Sequence, residues 1–187
     1  MHSTEQIENS QTGSSGPWCA LYTRHQHEGT VAKILGSKGV GVFLPTYKTV
    51  HRWKDRNKQL ELPLFPGYVF FTYEPERRIQ VLSTPGVHTI LTTGQNLPAV
   101  IPVEEILAIR RAVESPLGIA PHPYLKGGDV VRIKSGPLEG LEGIVSRSKH
   151  EFRVVLSVKM LGKSAAVEID ASAVERIHSR AVRPSQN

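Results

Sequence analysis

Short apolar stretches alternate with polar breaks along this chain, and the period of each stretch assigns it an element. In "WCALYT", Trp18, Ala20 and Tyr22 share one strand face, and Cys19, Leu21 and Thr23 share the other. "HEGTVAKILGSKG" follows with Val31, Ile34 and Leu35 at helical spacing, and Gly36 and Gly39 supply stop signals. "VGVFLPTYKTVHRW" reads as extended, with Pro45 marking an edge or a bulge, "KDRNK" as a hairpin tip, and "QLELPLF" as the return strand. "GYVFFTY" is the strongest strand in the chain. "EPERRIQVLS" predicts a short helix, with Pro75 near its first turn and Pro85-Gly86 closing it, and "VHTILTT" predicts another strand. "PVEEILAIRRAV" predicts a helix that Pro102 starts. Glu104 and Glu105 lie in its first turn and Arg110 and Arg111 near its last, an order that complements the helix dipole; Val103, Ile106, Leu107 and Val113 form its expected apolar face. These elements sum to an α+β domain, an antiparallel sheet with flanking helices.

Past residue 114 the pattern changes. "SPLGIAPHPY" holds three prolines and a glycine, which remove backbone donors and favour extended chain. "GDVVRIKSG", "LEGIVSR", "FRVVLSVKM" and "AAVEID" are then short strands at close spacing, the signature of a small β-barrel. The expected organisation is a polar lead-in (1–16), a first domain (17–114), a linker (115–124), a barrel (125–178) and a tail (179–187).

Composition narrows the class. The chain has 187 residues, 39% of them hydrophobic and 21% charged, which suits a globular protein of one ordinary domain or two small ones. No apolar run approaches the roughly 18 residues of a membrane span, and the opening residues lack the apolar core of a secretory signal. Cys19, the single cysteine, has no partner for an internal disulfide and reads as a small buried apolar residue; a reducing, cytoplasmic setting is expected. The net charge of +6 is spread evenly: residues 18–114 carry 12 basic and 8 acidic side chains, and residues 125–187 carry 11 and 7. A mildly basic field of this kind favours nucleic acid or an acidic protein partner.

The residues offer little to catalysis. The eight histidines are scattered, and His25 and His27 fit exposed loop positions better than a ligand pair. No H-E-x-x-H, P-loop, dinucleotide fingerprint or G-x-S-x-G elbow is present. Glu104 and Glu105 are accounted for by the helix dipole. A non-catalytic role without metal or cofactor is expected.

Two motifs carry the function. "LFPGYVFF" concentrates aromatic rings around a Pro-Gly turn in a chain that is 6% aromatic. Alternation places Tyr68 and Phe70 on one face and Val69 and Phe71 on the other, and the second pair is expected to form the core. Further on, "GDVVRIKSGPLEGLEGIV" runs a strand into Ser135-Gly136-Pro137 and returns through Gly140 and Gly143. This second pattern looks like a KOW motif, found in small barrels of the transcription and translation machinery. With the aromatic first strand, the F-P-G-Y strand, the terminal helix and the Pro-rich linker in order, about 160 residues resemble the NusG family of transcription elongation factors, which includes specialised paralogues typified by RfaH.

The resemblance implies a first domain that grips the clamp helices of the largest RNA polymerase subunit through an aromatic concavity, suppressing pausing and regulating termination or antitermination. The matching positions are Phe65, Tyr68 and Phe70, joined by Tyr22 and completed by Val87 and Ile90. Arg24, His25 and His27, with Lys33 and Lys38 on the first helix, lie where such paralogues touch the non-template DNA strand. Arg52, Lys54 and Arg56 in "HRWKDRNK" fit either contact with phosphates or a solvated hairpin tip. The second helix carries "PERRI" where paralogues touch the other large subunit. The barrel is implied to recruit a ribosomal small-subunit protein or the termination factor Rho through the "GPLEG" loop and Met160, Leu161, Gly162 and Lys163; Met160 and Leu161 equally fit barrel core. The basic charge and "MLGK" lean toward an operon-specific antiterminator over a housekeeping factor, acting as a monomer away from membranes. A KOW-containing ribosomal RNA-binding protein is the competing class.

Overall fold

The computed structural model describes residues 16–52, 57–94, 96–122, 129–148 and 151–177. Strand β1 (Trp18–Thr23) lies inside a four-stranded antiparallel sheet of order β2-β5-β1-β6, with β2 Val42–Phe43, β5 Tyr68–Thr72 and β6 Val87–Ile90. The β1–β5 register sets Cys19 opposite Phe71, Ala20 opposite Phe70, Leu21 opposite Val69 and Tyr22 opposite Tyr68. Opposite residues share a face, so the alternation of each strand is doubled across the pair.

One face carries Cys19, Leu21, Val69 and Phe71. It packs under α1 (Glu28–Ser37) and α2 (Arg78–Leu82) through Val31, Leu35 and Val81. The other face carries Ala20 and Phe70, and it clusters with Leu64, Phe65 and the Ile106, Ile109 and Ala112 side chains of α3 (Val103–Glu114). Val69 and Phe71 form core as expected. Phe70, expected to line an open surface, is fully buried as well, because helices cover the sheet on both sides. The apolar face of α3 is also corrected. Ile106, Ile109 and Ala112 are buried, while Val103 and Leu107 point outward at 45% and 50% exposure. Beside the sheet, β3 (Thr46–Arg52) and β4 (Asn57–Pro63) pair as a two-stranded ribbon, as the extended pattern predicts.

The second module is a six-stranded antiparallel sheet of order β12-β8-β9-β10-β11-β7. Its strands are β7 Ala120–His122, β8 Val130–Ile133, β9 Glu142–Ser148, β10 Glu151–Val158, β11 Lys163–Glu168 and β12 Val174–Arg176. Gly143 leaves no room for a side chain between β9 and β10: a Cβ there would sit 2.6 Å from Val154 Cγ1 and 2.7 Å from the Val155 carbonyl. Strand β7 falls in the expected linker. Its prolines favour extended chain, and extended chain at a sheet edge pairs with whatever edge it meets.

The two modules are not separate bodies joined by a free tether. Helix α3 packs against β10. The cluster that holds Phe65, Phe70 and Ile106 runs on through Leu138, Leu141, Leu156 and Leu161 of the barrel. Each of these side chains contributes about 1.5–3 kcal/mol when fully buried, so this shared core holds the two modules together.

Candidate functional site

The F-P-G-Y turn decides what the first domain shows to solvent. Gly67 sits between β4 and β5 with φ +85°, a conformation that side-chain-bearing residues rarely adopt. Its carbonyl accepts from the Thr23 amide at 2.8 Å, which ties the turn to the end of β1. Its own N–H donates at 2.7 Å to Oε1 of Glu28, a carboxylate only 3% exposed in the first turn of α1. A Cβ on Gly67 would lie 3.1 Å from Cε2 of Tyr22, so the bare glycine makes room for that ring beside the turn.

The result is an aromatic cluster at the surface. The Tyr22 and Tyr68 rings lie 5.5 Å apart at 54°, and Tyr22 meets His88 edge-on at 5.7 Å. Tyr22 is 42% exposed, His88 is exposed and Tyr68 is half-buried. Behind them Phe65 and Phe70 meet edge-to-face at 5.9 Å, and Phe43 stacks on Phe70 at 6.0 Å. The Arg110 guanidinium caps this stack, 4.9 Å from the Phe43 ring centre and 6.0 Å from that of Trp18. Its Nε is buried and makes no hydrogen bond among the described residues. The exposed rings thus rest on a rigid aromatic floor.

Of the six side chains expected on this surface, the structure brings Tyr22 and Tyr68 together at it. Phe65 and Phe70 are buried beneath, with nothing to offer a partner directly. Ile90 is buried and Val87 half-buried in the opposite core, under α1 and α2, a correction to the expected surface. Ile90 stands opposite Leu21 on the helix side, and Val87 joins it through a register shift between Tyr22 and Thr23 where β1 meets β6: Tyr22 pairs with Thr89 but Thr23 with Val87. The bulge rotates Val87 onto the helix side and leaves His88 beside Tyr22. An apolar pattern passes over His88; a histidine between Val87 and Thr89 on the edge strand is the signal the sequence offers.

Arg24, His25, His27 and Lys33 are all exposed on the β1–α1 loop and the outer face of α1, the segment that leads away from Tyr22. His27 Nδ1–H donates to the His25 carbonyl at 2.9 Å, which fixes that ring. Lys38 lies one residue past α1 rather than on it, and its ammonium donates to Thr84 Oγ1 at 3.2 Å. Arg77 is likewise engaged within the fold, with the Lys38 carbonyl at 3.1 Å and Glu74 at 2.8 Å. The side chain of Arg52, and Lys54 and Arg56 entirely, lie outside the described residues.

On the barrel, Leu161 is 9% exposed and belongs to the shared core, so the core reading of that residue is the one that describes this state. Gly162 adopts φ +57° and Lys163 is exposed; the Met160 side chain lies outside the described residues. The two stretches expected to meet a partner both touch α3. Arg111 donates to the carbonyls of Pro137 and Glu139 in the "GPLEG" loop at 3.3 and 2.8 Å, and the Lys159 amide donates to Glu105 Oε2 at 3.2 Å. Between them a groove of about 560 Å³ is lined by Glu104, Glu105 and Ala108 on one side and by Leu141, Ile144 and Leu156 on the other.

A helix-covered sheet with an aromatic edge, followed by a small barrel, is the architecture of the NusG proteins. Residues 16–110 match the family model NusG, described as transcription termination factor nusG. The transcription termination/antitermination protein NusG of Pseudomonas aeruginosa is 29% identical over 140 residues, covering 73% of this chain and 79% of that protein. The protein of the same name from Vibrio cholerae is 30% identical over 141 residues, covering 73% and 77%. Among solved structures, one of a domain interaction in Thermotoga maritima NusG covers 86% of this chain and 97% of its own, with 25% identity and a TM-score of 0.52. The chain belongs to the NusG family of transcription termination/antitermination factors.

Proposed function

We propose that the Tyr22–Tyr68–His88 cluster is the surface by which this chain docks on RNA polymerase, on the clamp helices of the largest subunit, to suppress pausing and control termination. The observation that carries this reading is the cluster itself: two tyrosines in a tilted pair and a histidine edge-on to one of them, at the surface over a packed aromatic floor. Rigid aromatic anchors of this kind dominate binding energy at protein interfaces, and a tyrosine tip tolerates the water that remains there. Phe65 and Phe70 act from beneath by fixing the tyrosines. Arg24, His25, His27 and Lys33 extend the surface toward the phosphates of the exposed non-template strand, which such side chains hold in register. The factor is non-catalytic and works as a monomer. Its barrel recruits a second protein of the translation or termination machinery, and operon-specific antitermination is the specialised form of the activity.

The test is Tyr22→Ala with Tyr68→Ala in the full chain. Two hot-spot truncations of about 2 kcal/mol each together weaken binding to purified polymerase by several hundred-fold, with the far-UV circular dichroism unchanged. Unchanged affinity overturns the assignment. Mapping of chromosomal occupancy separates the specialised form, confined to one or a few operons, from a general one.

A further inference from the structure

Arg110 is a cation without an anion. Its half-buried guanidinium lies over the Phe43 and Trp18 rings, and it makes no hydrogen bond or ion pair among the described residues. Other arginines of the chain are matched. Arg77 meets Glu74 and the Lys38 carbonyl, Arg111 the Pro137 and Glu139 carbonyls, Arg132 Glu142, and Arg176 Asp129. Ring faces attract the charge of Arg110 but offer no lone pair to its N–H groups. A carboxylate would take two of those groups at once, in the paired geometry that suits a guanidinium.

The place of Arg110 in the fold says where that carboxylate comes from. Phe43 pairs with Phe70, Phe70 with Ala20, and Trp18, Ala20 and Tyr22 alternate onto one side of β1. Arg110 therefore stands over the same sheet face that carries the Tyr22–Tyr68 pair. Trp18 and Tyr22 are four residues apart, about 13 Å at the rise of a strand. A standard protein interface covers about 800 Å² on each side, wide enough to take in both ends of that strand. On α3, Val103, Leu107 and Arg110 follow at i, i+4 and i+7 and form one stripe, whose two aliphatic side chains are exposed. The unmatched cation thus ends an exposed apolar strip and rests on two half-buried rings.

We propose that Arg110 is a specificity-determining residue of polymerase docking, the receptor for an Asp or Glu carboxylate that the polymerase presents beside apolar side chains. The inference rests on the functional reading of the tyrosine cluster and adds a second point of contact to it. A polymerase surface with an apolar or basic group at that point leaves the guanidinium unmatched and binds less well. The surroundings favour a protein carboxylate over a nucleic-acid phosphate. A run of phosphates calls for a row of basic side chains, whereas the stripe on α3 carries Arg110 with two aliphatic residues, and Arg111 beside it is taken up by the Pro137 and Glu139 carbonyls.

The test is Arg110→Met in the full chain. Methionine keeps an unbranched side chain against the Phe43 and Trp18 rings and removes the unmatched donors. The urea midpoint of the free protein should hold or rise, while affinity for purified polymerase falls about thirtyfold or more, the loss expected when one partner of a desolvated charge pair is removed. Unchanged polymerase affinity overturns the proposal. So does a variant that keeps polymerase affinity but loses affinity for a single-stranded DNA oligonucleotide, which would make the anion a phosphate. If the methionine variant loses stability as well as affinity, Arg110→Lys decides, because it keeps a cation over the rings but loses the planar fork. Lysine that restores stability and leaves affinity at least about tenfold down supports the carboxylate; lysine that restores both makes Arg110 a structural cap and refutes it. Affinity lost on truncating Tyr22 and Tyr68 but kept in Arg110→Met refutes this inference alone. Affinity kept on truncating the tyrosines refutes the docking site itself, so the two readings fail separately.

Discussion

The amide of Gly67 donates to the buried carboxylate of Glu28 at 2.7 Å, joining the first turn of α1 to the turn that presents Tyr68. A charge-assisted bond to a buried acceptor is worth about 1.5–3 kcal/mol. Glu28→Ala leaves the Gly67 N–H buried without a partner, and should cost that much in urea unfolding. Glu28→Gln keeps a carbonyl oxygen at the same place and should retain most of the stability. The order of polymerase affinity is expected to be wild type, then Gln, then Ala. Equal loss in Gln and Ala would mean that charge, rather than the hydrogen bond, holds the turn.

Gly67 itself allows no side chain. At φ +85° an alanine is strained by about 1–3 kcal/mol, and its Cβ would press on Tyr22 Cε2 at 3.1 Å. Gly67→Ala should therefore shift the Tyr22 ring resonances in NMR and lower stability together. A stable Gly67→Ala protein with unmoved Tyr22 resonances would contradict this account of the turn.

Gly143 tests the barrel alone. A Cβ there meets Val154 Cγ1 at 2.6 Å and the Val155 carbonyl at 2.7 Å, and the second contact is backbone that cannot rotate away. Overpacking of this kind costs about 1–3 kcal/mol. Gly143→Ala should loosen amide exchange in β9 and β10 while the β1–β5 amides keep their protection. Uniform loss across both sheets would instead report that the shared core unfolds as one unit.

Burial pushes the Cys19 thiol up to about 11, far from the range in which a thiolate attacks. In native protein at pH 8, a thiol reagent should label almost nothing. In denaturant it should label one group per chain, counted by mass spectrometry. Fast native labelling would place β1 nearer the surface than the structure does.

The alternation of β1 and β5 made one face of the first sheet readable, since Cys19, Leu21, Val69 and Phe71 are core on pattern alone. Phe70 was not readable in the same way. Its burial depends on α3 crossing the opposite face, and strand period says which residues share a face but not what covers it. Val87 and His88 exchange roles at a bulge, a register shift set by the pairing of two strands distant in sequence. Strand β7 was invisible because proline-rich chain reads as linker until a free edge lies beside it. The exposed tyrosines were legible from the Pro-Gly turn and the aromatic density around it. Their support by Glu28 was not, since a carboxylate at a helix start is already accounted for by the dipole.

Glu105 links pH to the contact between α3 and the barrel. Burial raises its carboxyl above the ordinary value of 4.5; the Lys159 amide and charge pull it back, and Glu104 adds to the rise. A carboxyl raised in the docked state binds its proton more tightly there than in the free state. Docking is therefore favoured most below the ordinary carboxylate range and loses that contribution as pH rises through the raised value. Glu105→Gln keeps an oxygen for the Lys159 amide and removes the charge that burial penalises. At neutral pH this variant should dock more tightly than the wild type, with slower exchange over 106–112 once intrinsic exchange rates are corrected for pH. Between pH 4 and 7 the wild type should loosen while Glu105→Gln stays level. A variant that loosens in parallel with the wild type would assign the titration to another group.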